Sequence, residues 1–263
     1  MSSITVSSLF ADADMTEQIK PAIIARGLSR LFGPRKAVQG IDLILGHGEV
    51  LGFLGPNGAG KSTVMRMLTG NLAPSAGSIE ICGIDLIDSP AEAKTRIGYL
   101  PEIPPLYREL TVNEYLRLAA RLHRVDSSKV SAALDTVTQR CGLGGTGERL
   151  IGSLSKGFQQ RVGIAQAIIH DPDVIILDEP TAGLDPNQIR EIRSLIRELG
   201  TQRSVIVSTH ILPEVESVCD RVQILREGRT VFTGCVGTLK EKGISLEAMF
   251  VRSTMGSESF EDA

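Results

Sequence analysis

One segment near residue 55 constrains the fold of this chain more than any other feature of its sequence. It fits the pattern G-x-x-x-x-G-K-[ST] and stands between the apolar run Val50–Leu54 and the helical run Val64–Leu68. Its residues are Gly55, Pro56, Asn57, Gly58, Ala59, Gly60, Lys61, Ser62 and Thr63. Glycines in such a loop let backbone N–H groups turn inward around an anion, and the following helix directs its positive end at the same place. The pattern therefore predicts a strand, a phosphate-binding loop and a helix, which together are a unit of α/β folds.

The chemistry of this loop assigns roles to two of its side chains. Lys61 is predicted to reach the β- and γ-phosphates of a nucleotide, and the hydroxyl of Ser62 is predicted to ligate Mg²⁺. From average residue usage, the pattern arises by chance in about 1 in 100 chains of this size. The strand and the helix on either side lower that chance further. We therefore expect nucleotide binding at this loop.

A second chemical feature is a pair of acids at the end of an apolar run. Asp178 and Glu179 follow Val174–Leu177, a run typical of a buried strand. Such a strand would place Asp178 beside the phosphate loop, where it can hold Mg²⁺ through water. Glu179, one residue further, can polarise an attacking water. The alternative is a pair of solvated acids at a strand end, but a phosphate loop in the same chain favours the first interpretation.

Short β-branched runs alternate with helical stretches along the chain, which indicates an α/β fold. The first two runs have no long helix between them and are predicted to pair antiparallel, whereas the later runs alternate with helices, as parallel sheets require. The predicted strands are Ala22–Arg26, Ile41–Leu45, Val50–Leu54, Ser78–Cys82, Arg96–Leu100, Val174–Asp178, Ser204–Ser208, Arg221–Leu225 and Thr230–Thr233. Helical periodicity over Thr111–Arg140 predicts a helical subdomain at about residues 103–165, with Tyr115, Leu116 and Leu122 in its core.

Composition excludes several classes of protein. The 263 residues carry a net charge of −3 and are 42% hydrophobic. This apolar fraction is sufficient for a core, and the charge lacks the basic excess of a general nucleic-acid binder. No run reaches the ~18 apolar residues of a membrane helix, and no leader pattern is present, so we expect a cytoplasmic location.

The two ends of the chain are polar. Residues 1–21 are predicted to be a flexible extension, with Met15 as an alternative start of translation, and residues 252–263 are predicted to be a disordered acidic tail. The cysteines form no CxxC pair, which favours reduced thiols over disulfides or a zinc site. They are Cys82, Cys141, Cys219 and Cys235.

A third element resembles the signature of a known family. Leu154–Arg161, at the start of a predicted helix, is similar to the LSGGQ signature of ATP-binding cassette (ABC) proteins. Other family elements stand in the expected order, with Phe32 at the adenine-stacking position, Leu100–Glu102 at the Q-loop, Ala182–Asp185 at the D-loop and His210 at the switch histidine. Alone, Phe32 would be a core aromatic and His210 an ordinary structural histidine. The order of the elements makes the resemblance specific.

The resemblance implies a fold and a working state. The implied fold is α/β, a P-loop NTPase with a RecA-like core, an antiparallel β subdomain and a helical subdomain, over residues 22–251. In the family, two cassettes pack head to tail around two ATP molecules. Ser155 and Gly157 would then contact the γ-phosphate held by the partner cassette, with Asp185 at the same interface. The implied ligands are ATP and Mg²⁺.

The sequence departs from the family pattern at the signature and at the Q-loop. Lys156 and Phe158 replace Gly and Gln of the consensus, but the residues expected to contact phosphate are retained, so activity is expected to survive. Glu102 stands where Gln is usual. Its carboxylate would ligate Mg²⁺ together with Ser62 and Asp178, or orient water, and it repels the γ-phosphate unless Mg²⁺ or a proton offsets its charge.

The implied function is the ATP-hydrolysing subunit of an ABC transporter, similar in its motifs to the ATPases of ABC-2-type exporters. In this interpretation Glu179 activates water, Lys61 binds phosphates, His210 senses the γ-phosphate, and closure of two identical or related cassettes moves a separate membrane permease. Residues Pro104–Tyr107 would either contact that permease or belong to the core. The predicted location is the cytoplasmic face of the membrane, with no nucleic acid as partner.

Two other functions can be compared with this one. A soluble ABC mechanoenzyme acting on ribosomes or DNA is the alternative. The single cassette, without a basic linker, a cysteine pair or room for a coiled coil, argues against it. A simple P-loop kinase would leave the signature and His210 unexplained.

Overall fold

The computed structural model describes residues 21–254, with side chains up to residue 252. The strands are β1 (Ile23–Phe32), β2 (Arg35–Leu45), β3 (Val50–Leu54), β4 (Ala76–Ile81), β5 (Ile84–Asp85), β6 (Ile97–Leu100), β7 (Val174–Asp178), β8 (Ser204–Thr209), β9 (Arg221–Arg226) and β10 (Arg229–Cys235). The helices are α1 (Lys61–Leu68), α2 (Pro90–Thr95), α3 (Val112–Leu122), α4 (Val130–Arg140), α5 (Lys156–Ile168), α6 (Pro186–Gly200), α7 (Leu212–Val218), α8 (Val236–Glu241) and α9 (Leu246–Thr254), and a 3₁₀ turn covers Ile151–Ser153.

The ends of the chain are described only in part. The predicted extension before residue 21, including Met15, lies outside the described residues, and so does the tail beyond residue 254. Helix α9 continues to Thr254, so the first three residues of the predicted tail are helical.

The first sheet is antiparallel and has the strand order β2-β1-β4-β5. Ile23 pairs with Leu45 of β2 and with Ile81 of β4. The antiparallel pairing predicted for the first two runs is therefore confirmed. Parallel pairing was predicted for the later runs, and this is wrong for β4, which joins the first sheet antiparallel to β1. The two strands extend further than their apolar runs because they pair with each other down to Phe32 and Arg35.

The second sheet has the order β10-β9-β3-β8-β7-β6. Strands β9, β3, β8, β7 and β6 are parallel, and β10 returns antiparallel along β9. Every residue of β3 and of β7 is buried. This continuous burial explains why both strands read as unbroken apolar runs, since a parallel sheet is covered on both faces.

The strand order places the chemical motifs side by side. Strand β8 lies between β3 and β7, with Leu54 paired to Thr209 and Asp178 paired to Ser208. Because parallel strands end at the same edge of a sheet, the phosphate loop, the acidic pair and His210 all begin there. Ligands of open α/β sheets bind at this edge.

The helical block packs on one side of this sheet. Helix α3 begins with a capping box, in which Thr111 accepts the N–H of Glu114 and the Glu114 carboxylate accepts the N–H of Thr111. Tyr115 and Leu116 are buried, as predicted. The prediction for Leu122 is wrong: the residue is 72% exposed, because it ends α3 where the chain turns away.

Helix α1 is fixed between the two sheets. Val64, Met65 and Leu68 are fully buried and belong to one apolar cluster with Leu43 and Phe53. This packing holds the start of α1 against the phosphate loop. Between residues 21 and 254, no helix combines the length and the apolar character that crossing a bilayer demands.

Candidate functional site

A cavity of about 330 Å³ opens where the phosphate loop, the acidic pair and His210 meet. Most of its wall consists of residues predicted from the sequence to bind nucleotide. The lining residues are Arg35, Ala37, Asn57, Gly58, Gly60, Lys61, Ser62, Thr63, Glu102, Glu179, Ala182 and His210. The structure thus brings together residues from five separate segments of the chain.

The phosphate loop adopts a backbone shape that needs glycine. Gly58 has φ +82° and Gly60, which precedes α1, has φ +104°. A Cβ on Gly60 would also lie 2.8 Å from the carbonyl oxygen of Ala37. The turn leaves the first N–H groups of α1 beside the cavity, which suits an anion.

Lys61 is buried and bound on several sides. Its Nζ donates to the carbonyl oxygens of Gly55, at 2.8 Å, and Pro56, at 3.4 Å. The same Nζ lies 3.3 Å from Oε1 of Glu179. A buried ammonium ion is stable only when paired in this way. The loop therefore holds one positive charge in the cavity wall, opposite one carboxylate.

Asp178 stands next to the loop and joins β7 to it. Its Oδ1 accepts the hydroxyl of Ser62 at 3.3 Å and also a short hydrogen bond from the hydroxyl of Ser208. Burial raises the pKa of Asp178 above its ordinary value, while the two hydroxyl donors act in the opposite direction. A cation would favour the ionised form. Hydroxyl and carboxylate oxygens are ligands that Mg²⁺ prefers, so these residues, with Glu102 on the cavity wall, fit that ion.

Glu179 has the least common backbone conformation of the site. Its φ is +48°, and its N–H donates to the carbonyl and hydroxyl oxygens of Ser208, at 3.1 Å each. A non-glycine residue in this region costs about 1–3 kcal/mol, and such residues cluster at functional sites. The turn aims the Glu179 carboxylate into the cavity. There its Oε2 lies 2.9 Å from Nδ1 of His210, while Oε1 faces Lys61.

Phe32 lies apart from the cavity wall. It is 44% exposed, at the end of β1, and the guanidinium of Arg30 lies 4.9 Å from the centre of its ring. One face of the ring is thus covered by a cation. This exposure argues against the core interpretation, and the role in adenine stacking stays a prediction.

The signature residues Ser155 and Gly157 and the D-loop residue Asp185 do not line this cavity. Ser155 precedes α5 and accepts the N–H of Phe158, and Asp185 precedes α6 and accepts the N–H groups of Asn187 and Gln188. Gly157 lies against α6, where a Cβ would come within 2.4 Å of the side chain of Gln188. The starts of α5 and α6 therefore meet at a separate place on the same chain.

Several residues at the site were not predicted from the sequence. Arg35 and Ala37 of β2 line the cavity, and only their closeness to Phe32 could have indicated this. Ala182 was noted only as part of the D-loop. Glu214 is buried and accepts hydrogen bonds from Thr181 and Thr209, which lie close in sequence to Glu179 and His210. No motif marks that contact.

Comparison with known proteins shows that the chain is similar to ATP-binding proteins of ABC transporters. Residues 38–182 match the model of the family described as ABC transporter. The ABC transporter ATP-binding protein NatA of Bacillus subtilis (strain 168) is 38% identical over 218 residues, covering 82% of this chain and 89% of that protein. The bacitracin transport ATP-binding protein BcrA of Bacillus licheniformis is 40% identical over 204 residues, covering 77% of this chain and 66% of that protein. A solved structure of an ATP binding subunit of an ABC transporter aligns with a TM-score of 0.79 at 31% identity, covering 88% of this chain and 99% of that one.

Proposed function

This chain belongs to the ABC transporter family and is a subunit that binds and hydrolyses ATP, and from that premise we propose what its residues do and what the hydrolysis drives. Two such cassettes, identical or related, close around ATP and so move a separate membrane permease of an exporter. The subunit works at the cytoplasmic face of the membrane, where the permease holds it.

One observation supports this proposal above the others: the carboxylate of Glu179 lies between Lys61 and His210 inside the cavity. Lys61 binds oxygens of the β- and γ-phosphates. Glu179 takes a proton from the attacking water while the water oxygen bonds to the γ-phosphorus and the bond to the β–γ bridging oxygen breaks. ADP and phosphate are the products. His210 orients the Glu179 carboxylate and contacts the γ-phosphate.

Ser62, Asp178 and Glu102 are the residues that would hold Mg²⁺. The ion would neutralise charge on the phosphates there. Asp178 supports this assignment because it is 2% exposed and its oxygen lies 3.3 Å from that of Ser62. Glu102 adds a second carboxylate on the cavity wall. The charge of a bound Mg²⁺ would also offset the repulsion between Glu102 and the γ-phosphate.

Completion of the site by a second cassette is the next part of the proposal. Ser155, Gly157 and Asp185 lie outside the cavity of their own chain, at the starts of α5 and α6. Backbone N–H groups at a helix start suit a phosphate. The signature of one cassette therefore supplies donors to the γ-phosphate bound by the other. Each site lacks these donors until the second cassette arrives.

The permease contact lies beyond the Q-loop. Ile103 is 83% exposed and Tyr107 is 51% exposed, and exposed apolar groups of this kind mark interfaces. Ile103 directly precedes the predicted contact at Pro104–Tyr107, and Tyr107 is its last residue. The resemblance to ABC-2-type exporters supports export through such a permease. The names of the relatives describe transport, which favours this function over an ABC mechanoenzyme acting on ribosomes or DNA.

A mixing experiment tests the composite site. The variants Lys61→Met and Ser155→Arg are each expected to hydrolyse almost no ATP. In a head-to-tail dimer, a mixed pair has one site with both defects and one site with neither. Mixing the two purified variants should therefore restore ATP hydrolysis, whereas a single-chain site would gain nothing.

The matched control combines Lys61→Met with Glu179→Gln. Both changes lie in the cavity of their own chain, so each site of a mixed pair keeps one defect. No recovery is expected in this mixture. Failure of the first mixture to recover, with both variants folded by circular dichroism, would exclude the head-to-tail arrangement.

A further inference from the structure

We propose that Glu214 is a positioning residue for ATP hydrolysis. Its side chain connects the segment that carries Glu179 to the segment that carries His210. The inference rests on the proposed roles of these two residues. Glu214 itself lies on α7 and does not line the cavity. It acts through two threonines, each close in sequence to one of the residues it positions.

The carboxylate of Glu214 is 2% exposed and bridges two loops. Its Oε1 accepts a short hydrogen bond from the hydroxyl of Thr181, two residues after Glu179. Its Oε2 accepts the hydroxyl of Thr209 at 2.6 Å, and Thr209 directly precedes His210. One side chain therefore holds both catalytic segments.

This bridge lies just beyond the last residue pair of the ladder between β7 and β8. The ladder between β7 and β8 ends at the pair Asp178 and Ser208, and the N–H of Glu179 makes the last bond, to Ser208. Beyond that point Thr181 and Thr209 are joined through Glu214. Thr209 also accepts the N–H of Ile211 at 3.0 Å, which fixes the turn around His210. The distance between Glu179 and His210 thus depends on the Glu214 carboxylate.

Helix α6 completes the arrangement. The Nη2 of Arg193 lies 3.8 Å from Oε1 of Glu214, and Nε of Arg193 has no hydrogen-bond partner among the described residues. Since the D-loop residue Asp185 directly precedes α6, the same carboxylate faces the helix that would meet a second cassette. Movement at that interface can reach Glu179 through Glu214. A carboxylate with only a structural role would affect folding stability and leave the rate of hydrolysis unchanged.

The test compares Glu214→Gln with changes at the two threonines that it contacts. An amide cannot accept both hydroxyls with two oxygens, so Glu214→Gln should lower kcat about 10- to 100-fold, the cost of a misplaced catalytic group. The dissociation constant for ATP should stay within about 3-fold, because the phosphate ligands are untouched. Thr209→Val should likewise lower kcat with little change in the dissociation constant for ATP. Thr209→Ser should keep the kcat of the unchanged chain, because serine keeps the hydroxyl. The double variant with Thr181→Val and Glu214→Gln should have a kcat little lower than that of Glu214→Gln alone, since both changes remove the same interaction.

The matched control is Glu216→Gln, an exposed glutamate on the same helix, which should leave kcat unchanged. Thermal unfolding of every variant shows whether it is folded. If Glu214→Gln does not fold, the kcat values of the threonine variants test the proposal in its place. A normal kcat in Glu214→Gln and Thr209→Val, while Glu179→Gln is inactive, would overturn this inference alone. Normal hydrolysis in Glu179→Gln would instead overturn the proposed function on which it rests.

Discussion

The ammonium group of Lys61 lies 3.3 Å from the carboxylate of Glu179, and both side chains are more than nine-tenths buried. The other oxygen of this carboxylate contacts His210 at 2.9 Å. The group expected to bind the phosphates and the group expected to activate water therefore hold each other. A phosphate oxygen that reaches Lys61 competes with Glu179 for the same cation. Binding of ATP would thus release the carboxylate towards the attacking water.

Replacing Glu179 by glutamine should separate binding from hydrolysis. An amide has no charge to compete for Lys61 and cannot accept the proton of water, so Glu179→Gln should bind ATP at least as tightly as the unchanged chain. Its turnover should fall about 10²–10⁴-fold, the usual cost of losing a general base. Equilibrium binding of radiolabelled ATP and release of phosphate measure the two effects. The exposed Glu241→Gln is the control, and ordinary turnover in Glu179→Gln would remove Glu179 from this role.

Loss of the Phe32 ring should weaken the binding of nucleotide but not that of phosphate alone. An aromatic contact is worth roughly 0.5–1.5 kcal/mol beyond area burial, so Phe32→Ala should raise the dissociation constant for ATP about 2- to 10-fold. Phe32→Tyr keeps the ring and should bind normally. Inorganic tripolyphosphate has no base to stack, so its affinity should not change. Equal losses for ATP and tripolyphosphate would place the effect of Phe32 elsewhere.

Replacing Glu102 by glutamine should change the Mg²⁺ concentration that ATP hydrolysis requires. If the carboxylate of Glu102 holds Mg²⁺, Glu102→Gln should raise the half-activating Mg²⁺ concentration by about 10-fold, the low end of what changes around metal sites cost. ATP hydrolysis is measured across a magnesium titration at saturating ATP. Glu109→Gln, an exposed glutamate a few residues further along, serves as the control. An unchanged titration curve would count against a metal contact.

The sequence predicted strands and motifs well where burial and chemistry act locally. Strands β3 and β7 have the predicted bounds, Val50–Leu54 and Val174–Asp178, because each is a buried run that leads directly into a motif. The ends of β1 and β2 were predicted too short, because pairing between partners, and not apolarity, continues them. The two-residue β5 has no periodicity to detect.

Contacts between distant segments could not be predicted in the same way. Glu214 meets Thr181 across 33 positions, and it does so only because α7 packs against β3 and β8. Its sequence surroundings are those of an ordinary helix start. Arg35 likewise reaches the cavity only because the first sheet covers the phosphate loop. Such contacts follow from how the sheets are arranged, which single-residue patterns do not encode.

A half-buried histidine pair should make the fold sensitive to mild acid. His170 stacks on His123 with ring centres 3.8 Å apart, and its Nε2 lies 3.1 Å from the carbonyl oxygen of Ile97. Burial, followed by the neighbouring His123, lowers the pKa of His170 to about 4. An unfolded histidine titrates near 6.5, so the unfolded chain binds more protons between these values, and the free energy of unfolding falls as the pH falls. The loss from this group between pH 7.5 and pH 5 is on the order of 2 kcal/mol.

Urea unfolding at pH 7.5 and at pH 5 measures this effect. His170→Gln keeps an N–H near the position of Nε2 but does not titrate, so the difference in unfolding free energy between the two pH values should shrink by about 2 kcal/mol. The exposed His47→Gln should leave the difference as it is in the unchanged chain. The same pH dependence in His170→Gln as in the unchanged chain would show that other groups cause the loss. Above about pH 7, His170 is neutral in both the folded and the unfolded chain. A difference in unfolding free energy between His170→Gln and the unchanged chain at such pH values therefore reports packing against His123 and not charge.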